Sequence, residues 1–268
     1  MTYGTIMVTV DTEEGGRERV RIAGHLADAF DAGLLGVSAQ MPLSLAFAGG
    51  PPIDSYALPR LREACLVGLA EAHALFEETA AGWSRREWAS GFDSPLSFVL
   101  RQASRAGLVV TGRPAADGFY TRAPHPGDLV MNLGRPLVIV PPAIDHLEIR
   151  RIAIGWSPTR EARRAVTDAL PFLKRAHSVV VCMIDEGTAC DATPVLRYLE
   201  AHDIEARAAY GSLDGTSTAE ALIDLACEQA ADLLVAGAYG HSRIREWAFG
   251  GVTRDLLYAC PICCLLSH

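Results

Sequence analysis

The feature that most constrains the fold is an internal repeat. Residues 106–112, Ala-Gly-Leu-Val-Val-Thr-Gly, match residues 231–237, Ala-Asp-Leu-Leu-Val-Ala-Gly, at an offset of 125 positions. The same offset carries Pro136 onto Pro261 without a gap. The chain has 268 residues, which is long enough for two domains of ordinary size. The repeat therefore predicts two copies of one domain, residues 1–143 and 147–268, joined just after Pro141 and Pro142.

Each copy alternates short apolar runs with segments of helical periodicity. Apolar runs of four to seven residues without polar alternation are typical of strands buried on both faces of a parallel sheet. Since strand–helix–strand crossovers are right-handed, the pattern predicts an α/β fold with two tandem doubly wound, Rossmann-like parallel-sheet domains of five strands each. The predicted strands are 6–10, 34–39, 83–89, 108–111 and 136–140 in the first copy, and 151–155, 178–184, 204–210, 232–236 and 262–266 in the second.

The predicted helices complete this pattern. A Pro/Gly-rich loop is expected over residues 42–56, between the second strand and a long helix. The predicted helices are 17–32, 58–81, 95–105, 160–176, 193–202, 218–230 and 253–259.

Charge and hydropathy exclude several classes of function. The net charge is −8, and it divides into −4 on each side of His146, so neither copy is basic. Nucleic acid and anionic membranes are therefore not expected as main partners. The sequence has no apolar run of about 18 residues, the length of a transmembrane helix. Residues 1–16 lack a basic region followed by an apolar run, so we expect a cytoplasmic protein without a signal peptide.

The seven cysteines are expected to be reduced and mostly buried. Cys260, Cys263 and Cys264 resemble a redox or metal motif in their spacing. However, Cys263 and Cys264 lie in a run of apolar residues that predicts a buried strand. The sequence also contains no second Cys/His pair at zinc-finger spacing. We therefore interpret these cysteines as core residues.

A glycine-rich loop in the second copy is the strongest functional motif. Gly237, Gly240, Gly250, Gly251 and Thr253 follow a predicted strand in the spacing G-x2-G-x9-G-G-x-T and lead into a helix. Bare backbone N–H groups beside a helix N-terminus favour the binding of phosphate. Glycine also permits close approach of a ligand and positive φ. The alternative is that these glycines only form a turn.

This motif resembles that of the universal stress protein family, in which the spacing is G-x2-G-x9-G-[S/T]. The resemblance spans both copies and implies a five-stranded domain like that of the adenine nucleotide alpha hydrolases. It also implies that ATP, with or without Mg²⁺, binds with its triphosphate on the glycine loop and its adenine and ribose near the end of the first strand. The residues implied as binding the nucleotide are Ser157, Thr159, Ala236, Gly237, Tyr239, Gly240, Gly250, Gly251, Val252 and Thr253.

Two residues depart from the family pattern in the second copy. Gly251 stands where the family has Ser or Thr, so one hydroxyl for phosphate is absent, although the backbone N–H remains. Ser157 stands where the family has Asp in the first strand–helix turn. A hydroxyl binds adenine or ribose less strongly than a carboxylate does. Both changes are expected to weaken nucleotide binding rather than abolish it.

The first copy departs further from the motif. At the offset of 125, Gly112 is retained, whereas Ala115, His125 and Pro126 replace Gly240, Gly250 and Gly251. Proline has no N–H to donate, and Asp128, in place of Thr253, would repel phosphate. The first copy is therefore expected to be a structural or interaction half that does not bind nucleotide as the family does. Asp11 occupies the adenine-side position there, or only caps its own helix.

Taken with the family resemblance, the sequence predicts a cytoplasmic stress-response protein that binds ATP in its second domain. We expect no enzymatic activity beyond at most slow ATP hydrolysis. One alternative is an interaction module that binds no nucleotide, and another is a small-molecule enzyme on the same scaffold. The last strands, 136–140 and 262–266, are apolar edges that need a partner. They are expected to pair within the chain as a pseudo-dimer, or across chains, and a further homodimer stays open.

Overall fold

A computed structural model describes residues 2–41, 57–113, 123–185, 191–213, 215–240 and 251–268 of the chain. The predicted loop 42–56 lies outside these residues. The described strands are β1 Thr5–Thr9, β2 Gly33–Ala39, β3 Arg86–Gly91, β4 Leu108–Gly112, β5 Leu137–Val140, β6 Arg151–Gly155, β7 Ser178–Asp185, β8 Ala206–Ser212, β9 Leu233–Gly237 and β10 Cys263–Ser267. The described helices are α1 Gly16–Phe30, α2 Ala57–Thr79, α3 Pro95–Gln102, α4 Pro126–Asn132, α5 Arg160–Leu173, α6 Thr193–Glu200, α7 Thr218–Glu228 and α8 Val252–Ala259.

The strands form one ten-stranded sheet in the order β3-β2-β1-β4-β5-β10-β9-β6-β7-β8. The order in the first half, 3-2-1-4-5, repeats in the second half as 8-7-6-9-10 read from the opposite edge. All pairs within a half are parallel, and only β5 and β10 are antiparallel. The predicted α/β class, with two five-stranded doubly wound halves, is therefore confirmed.

The two halves join through the pairing of their last strands. Ile139 lies opposite Cys264, and Val138 lies opposite Leu265. Cys264 is also the residue that corresponds to Ile139 at the offset of 125. A pseudo-twofold axis therefore passes between these two residues, and the predicted pairing within the chain is confirmed.

The core has two layers, one on each face of the sheet. Along β1, Ile6 and Val8 lie in one layer, and Met7 lies in the other. The same alternation occurs in β9, where Leu233 is in the first layer and Leu234 in the second. Each of these side chains is fully buried. This explains why the strands read as continuous apolar runs, since both faces of the sheet are covered by helices.

An aromatic cluster joins the halves on one face of the sheet. The ring of Tyr3 meets that of Phe30 edge-on at 5.0 Å, and Phe30 in turn meets Phe172 of the second half at 4.8 Å. The Tyr3 hydroxyl donates a hydrogen bond to the Asp168 carbonyl oxygen at 2.5 Å. The halves are therefore held by side-chain packing as well as by the sheet.

Several local predictions differ from the structure, among them the end of the helix predicted over 160–176, which is Leu173, and the start of the strand predicted over 204–210, which is Ala206. Strand β3 begins at Arg86 rather than Trp83, because the Trp83 ring packs on Gly24 of α1 and its Nε1 donates to Asp28 at 2.8 Å. The helix predicted over 95–105 ends at Gln102 and continues as a 3₁₀ turn. Helix α4 was not among the predicted helices, and Pro126 forms its first residue, where a missing N–H costs nothing.

The cysteine interpretation agrees with the described residues. Cys263 and Cys264 lie in β10, and both are buried, as is Cys260 just before it. No group of three potential metal-binding side chains occurs in the part of the chain that the structure describes. None of the described helices combines the length and the apolar character that crossing a membrane requires.

Candidate functional site

The site predicted in the second half lies where the carboxyl ends of β6 and β9 meet the start of α5. These strands are neighbours, with Gly155 opposite Ala236, so the turn after each strand lies at the same edge of the sheet. A Cβ on Gly237 would lie 2.5 Å from the Ala162 backbone nitrogen. Gly237 is therefore required because the first turn of α5 packs directly on the glycine loop.

The hydroxyls predicted on the adenine side have different surroundings. Thr159 is the N-cap of α5, and its Oγ1 accepts a hydrogen bond from the Ala162 N–H at 3.2 Å. The Ser157 side chain is exposed. The backbone carbonyl oxygen of Ser157 accepts a hydrogen bond from the Thr159 N–H at 2.7 Å. The Thr159 hydroxyl is thus engaged in capping α5, whereas the exposed Ser157 hydroxyl lies at the rim of the predicted site, where a ligand can reach it.

A hydrogen bond between Tyr239 and Thr253 fixes the glycine loop at the end that the structure describes. Tyr239 has a φ of 56°, and its N–H donates to the Thr253 Oγ1 at 2.9 Å. The Thr253 side chain is buried in the first turn of α8. The Thr253 hydroxyl therefore holds the loop against the helix, a role that the motif alone does not indicate.

The N-cap residue of helix α8 has no side chain with which to cap it. Its N-cap is Gly251, which has extended backbone (φ −83°, ψ 157°), and Val252 is its first residue. The first N–H groups of a helix have no partner within it and carry its positive dipole end. This helix start lies beside the carboxyl end of β9, where the sequence predicts a phosphate. The predicted residue Gly250 lies outside the described residues.

Glu161 belongs to this site although the sequence analysis did not single it out. Its side chain is only 9% exposed, and its Oε1 accepts from the Arg160 Nε at 3.0 Å. A Cβ on Gly240 would lie 3.2 Å from Glu161 Oε2, so this carboxylate faces the glycine loop. In sequence, Glu161 resembles an ordinary first-turn acid that stabilises the helix dipole. Its burial arises from the packing of Gly237 on α5, which no local pattern indicates.

A second candidate site lies in the first half, at the equivalent edge of the sheet. It is a cavity of about 100 Å³ at the carboxyl ends of β1, β4 and β5. The second half contributes Tyr258 to its wall. The lining side chains that carry polar groups include Asp11, Arg19, Arg113 and His125. The cavity is therefore formed by both halves.

A buried ion pair occupies the inner end of this cavity. Arg19 Nη2 donates to Asp11 Oδ2 at 2.6 Å, and both side chains are at most 5% exposed. Arg19 Nε also donates to the Thr9 carbonyl oxygen at 2.8 Å. A Cβ on Gly112 would collide with the Arg19 guanidinium, so this arginine fills the space beside the first-half counterpart of Gly237. At Gly237 the neighbours of such a Cβ lie instead at the start of α5, and they are the Ala162 nitrogen and the Glu161 carbonyl carbon and Cβ.

The structure speaks against one of the two roles considered for Asp11, that of capping its own helix. The N-cap of α1 is Gly15, so Asp11 does not cap this helix at its first position. Its Oδ1 instead accepts from the Glu13 N–H at 3.1 Å, while Oδ2 binds Arg19. Both carboxylate oxygens are therefore engaged within the first half.

His125 closes the other side of the cavity. Its Nδ1 accepts from the Gly127 N–H at 3.0 Å and so caps α4. Because an accepting Nδ1 carries no proton, Nε2 carries the proton of the neutral ring and donates to the Tyr258 hydroxyl at 2.9 Å. An imidazole and a proline thus occupy the helix start that corresponds to Gly250 and Gly251 of the second half.

Solved structures resemble the chain over its full length. A universal stress protein from Archaeoglobus fulgidus has a TM-score of 0.70 at 16% identity, with 98% of this chain and 95% of that chain covered. A functionally unknown protein from Pseudomonas aeruginosa has a TM-score of 0.54 at 13% identity, with 98% and 92% covered. A universal stress protein solved in complex with cAMP covers 53% of this chain and all of its own, at 20% identity and a TM-score of 0.36.

The sequence comparisons give no match. No protein-family model matches the chain, and no curated protein is significantly similar to it. The resemblance first indicated by the glycine motif is therefore confirmed for the fold, by a full-length similarity that includes the sheet joining both halves. The chain has the fold of the universal stress proteins in its tandem form, with two copies of the domain in one continuous sheet.

Proposed function

We propose that the chain is a tandem universal stress protein whose second half binds ATP. The observation that carries this proposal is the start of α8, whose N-cap residue Gly251 has no side chain to cap the helix and follows directly on the glycine loop. Backbone N–H groups there suit a phosphate. Ser157 provides a hydroxyl at the rim for the adenine or ribose. The first half, with Arg19 and His125 at the corresponding positions, is proposed not to bind nucleotide in this way.

Glu161 gives the proposed site a requirement for a cation. A carboxylate facing Gly240 repels an unneutralised triphosphate, since two like charges at contact distance disfavour one another. A Mg²⁺ ion is normally held by one or two carboxylates together with phosphate oxygens. We therefore propose that ATP binds as its magnesium complex, with Glu161 on the side of the cation.

The proposed role is binding rather than catalysis. The described residues around the glycine loop provide a cap, backbone donors and one carboxylate, and we assign no nucleophile or general base among them. The protein is proposed to be a cytoplasmic stress-response protein whose state depends on its nucleotide, with ATP hydrolysis slow at most.

The test is a melting-temperature measurement on protein stripped of ligand. A ligand at 100 times its Kd stabilises the native state by about 2.7 kcal/mol, so millimolar Mg-ATP should raise the Tm by several degrees. Val252→Pro removes one N–H at the first position of α8, where proline is tolerated and where Gly251 already has the extended backbone that precedes it. Val252→Ala keeps the N–H and measures the contribution of the side chain alone.

Two results would contradict the proposal. One is the absence of any Tm shift with Mg-ATP, and the other is an equal response in the Val252→Pro and Val252→Ala variants. The first result would favour the second candidate function, an interaction module that binds no nucleotide. The buried Glu161 carboxylate is the specific observation that supports this alternative.

A further inference from the structure

Tyr239 extends from the glycine loop of the second half into the first half. A Cβ on Gly127 would lie 2.6 Å from the Tyr239 hydroxyl oxygen. Gly127 is buried in the first turn of α4, so the tyrosine hydroxyl rests directly on the backbone of this helix. The contact joins the predicted phosphate loop of one half to the degenerate loop region of the other.

The same helix end also holds the element that follows the loop. The Gly127 N–H donates to His125 Nδ1, and His125 Nε2 donates to the Tyr258 hydroxyl at 2.9 Å. Tyr258 belongs to α8, whose start receives the loop. The start of α4 therefore contacts the second half at two places, Tyr239 where the loop begins and Tyr258 on the helix into which it leads.

The backbone conformation of Tyr239 is the reason why the contact between its side chain and Gly127 affects the glycine loop. Its φ of 56° lies in the left-handed region, which is unfavourable for a residue with a Cβ and persists only where the surroundings enforce it. Two contacts do so: the N–H is held by Thr253 Oγ1 at 2.9 Å, and the side chain is held against Gly127. A displacement of the side chain would therefore be transmitted to the backbone that carries Gly237 and Gly240.

We propose that the first half positions the nucleotide loop of the second half, with Gly127 as the positioning residue that acts through Tyr239. This inference rests on the proposed nucleotide site and assigns a role to the half that has lost the motif. Glycine is needed at position 127 because a larger residue would displace the Tyr239 hydroxyl. A Cβ at position 127 would also lie 3.0 Å from Nδ1 of His125, the residue that caps α4, so the tyrosine hydroxyl at 2.6 Å is the closer of two neighbours.

A double-mutant cycle tests the proposal. The four proteins are the wild type, Gly127→Ala, Tyr239→Phe and the double variant, and the readout is the Kd for Mg-ATP. Coupling between residues in contact corresponds to roughly a two- to 150-fold change in affinity. We expect Gly127→Ala to weaken binding at least about threefold in the wild-type background. In the Tyr239→Phe background the clashing oxygen is absent and only the approach to His125 remains, so the same change should have a clearly smaller effect.

Amide hydrogen exchange at position 239 provides a second readout that needs no nucleotide. Gly127→Ala should accelerate exchange of the Tyr239 amide, because the hydrogen bond to Thr253 Oγ1 is strained, and Tyr239→Phe should restore its protection. Gly4→Ala serves as the matched control in the first half, since a Cβ there meets nothing within 4 Å. It should change neither readout.

The outcomes separate this inference from the proposed function. If the wild type fails to bind Mg-ATP, the nucleotide proposal falls, and the amide exchange still decides the positioning role. If Gly127→Ala changes neither affinity nor exchange, or if its effect is undiminished in the Tyr239→Phe background, the positioning role of Gly127 is overturned.

Discussion

Cys264 lies opposite Ile139 in the antiparallel pair at the centre of the sheet, and each is the counterpart of the other in the repeat. The two halves therefore meet as two subunits of a symmetric dimer would, although they belong to one chain. Strand pairing and the Tyr3–Phe30–Phe172 cluster hold them together independently of the linker.

Cleavage of the linker should leave the halves associated. Asp145 and His146 are both exposed, with side chains 72% and 70% accessible, so a protease site can be introduced between them. We expect the two fragments to co-elute in gel filtration under native conditions. Their complex should have a lower Tm than the intact protein, because the linker no longer holds the two halves close together when they unfold. Separation of the fragments without denaturant would contradict the role assigned to β5 and β10.

Tyr3→Phe should reduce stability and change its pH dependence. Loss of the hydrogen bond to the Asp168 carbonyl oxygen should lower the free energy of unfolding by about 1 kcal/mol near neutral pH. Burial, together with the Asp168 charge, raises the pKa of Tyr3 well above its usual value of about 10. The hydroxyl therefore contributes stability below about pH 10, and that contribution is lost as the pH rises further.

Urea unfolding of the wild type and Tyr3→Phe from about pH 7 to 11 measures this effect. The difference in unfolding free energy should shrink above about pH 10, because only the wild type must keep this phenol protonated in the folded state. A difference that stays constant over this range would show that Tyr3 ionises as freely in the native state as in the unfolded one.

Removing one partner of the buried ion pair should be more costly than removing both charges. Arg19→Met leaves the Asp11 carboxylate uncompensated and should destabilise the protein by about 3–5 kcal/mol. The double variant Asp11→Asn with Arg19→Met should recover part of this loss, since no buried charge remains. Denaturant unfolding of both variants measures this difference, and a double variant less stable than Arg19→Met would contradict the prediction.

Arg85→Met, at an exposed ion pair with Asp31, is the control, and it should lower the free energy of unfolding by at most about 1 kcal/mol.

Glu161→Gln should change the cation dependence of nucleotide binding. If Glu161 faces the cation, the variant should bind Mg-ATP more weakly than the wild type does. It should also bind magnesium-free ATP more tightly, because a repulsive charge is removed. Calorimetric titration with and without EDTA measures both affinities. An unchanged ratio of the two affinities would show that Glu161 does not contact the phosphate–cation group.

Thiol labelling should distinguish the exposed cysteine from those of the core. Burial raises the pKa of Cys182 to about 11 and that of Cys263 to about 12, whereas Cys227 is exposed. Since the thiolate is the reactive form, iodoacetamide at about pH 8 should modify Cys227 well before Cys182 and Cys263. Peptide mapping by mass spectrometry gives the order. Equal rates for Cys227 and Cys263 would mean that β10 opens readily.

The fold was predictable because its determinants are local. The apolar runs that become β1, β4 and β9 are buried on both faces of the sheet. Each strand can therefore be recognised as an apolar run from its own residues alone. The repeat indicated two copies of one domain, and the apolar last strands were expected to pair, either within the chain or across chains. Where the prediction was wrong, a distant contact decided the outcome: Trp83 leaves the strand because its ring packs on Gly24, which is 59 positions earlier.

The candidate site was less predictable because its chemistry depends on packing between elements. Spacing identified Gly237 and Gly240, but it did not indicate that Glu161 faces them. The residue types of Asp11 and Arg19 do not reveal that they form a buried pair eight positions apart, at the end of a strand and on the following helix. Tyr239 was placed in the nucleotide site by its neighbours in sequence, whereas its side chain contacts the other half.

The continuous sheet has a consequence for how the two sites can change. In a dimer of identical subunits, every substitution appears twice and must suit both copies of the interface and both ligand sites. A single chain that contains both copies is free of this restriction, so an arginine side chain can lie against Gly112 in one half while a glutamate faces the glycine loop in the other. The covalent link between the halves thus permits substitutions in one copy that support the other copy, while the ten-stranded sheet that both copies share is kept.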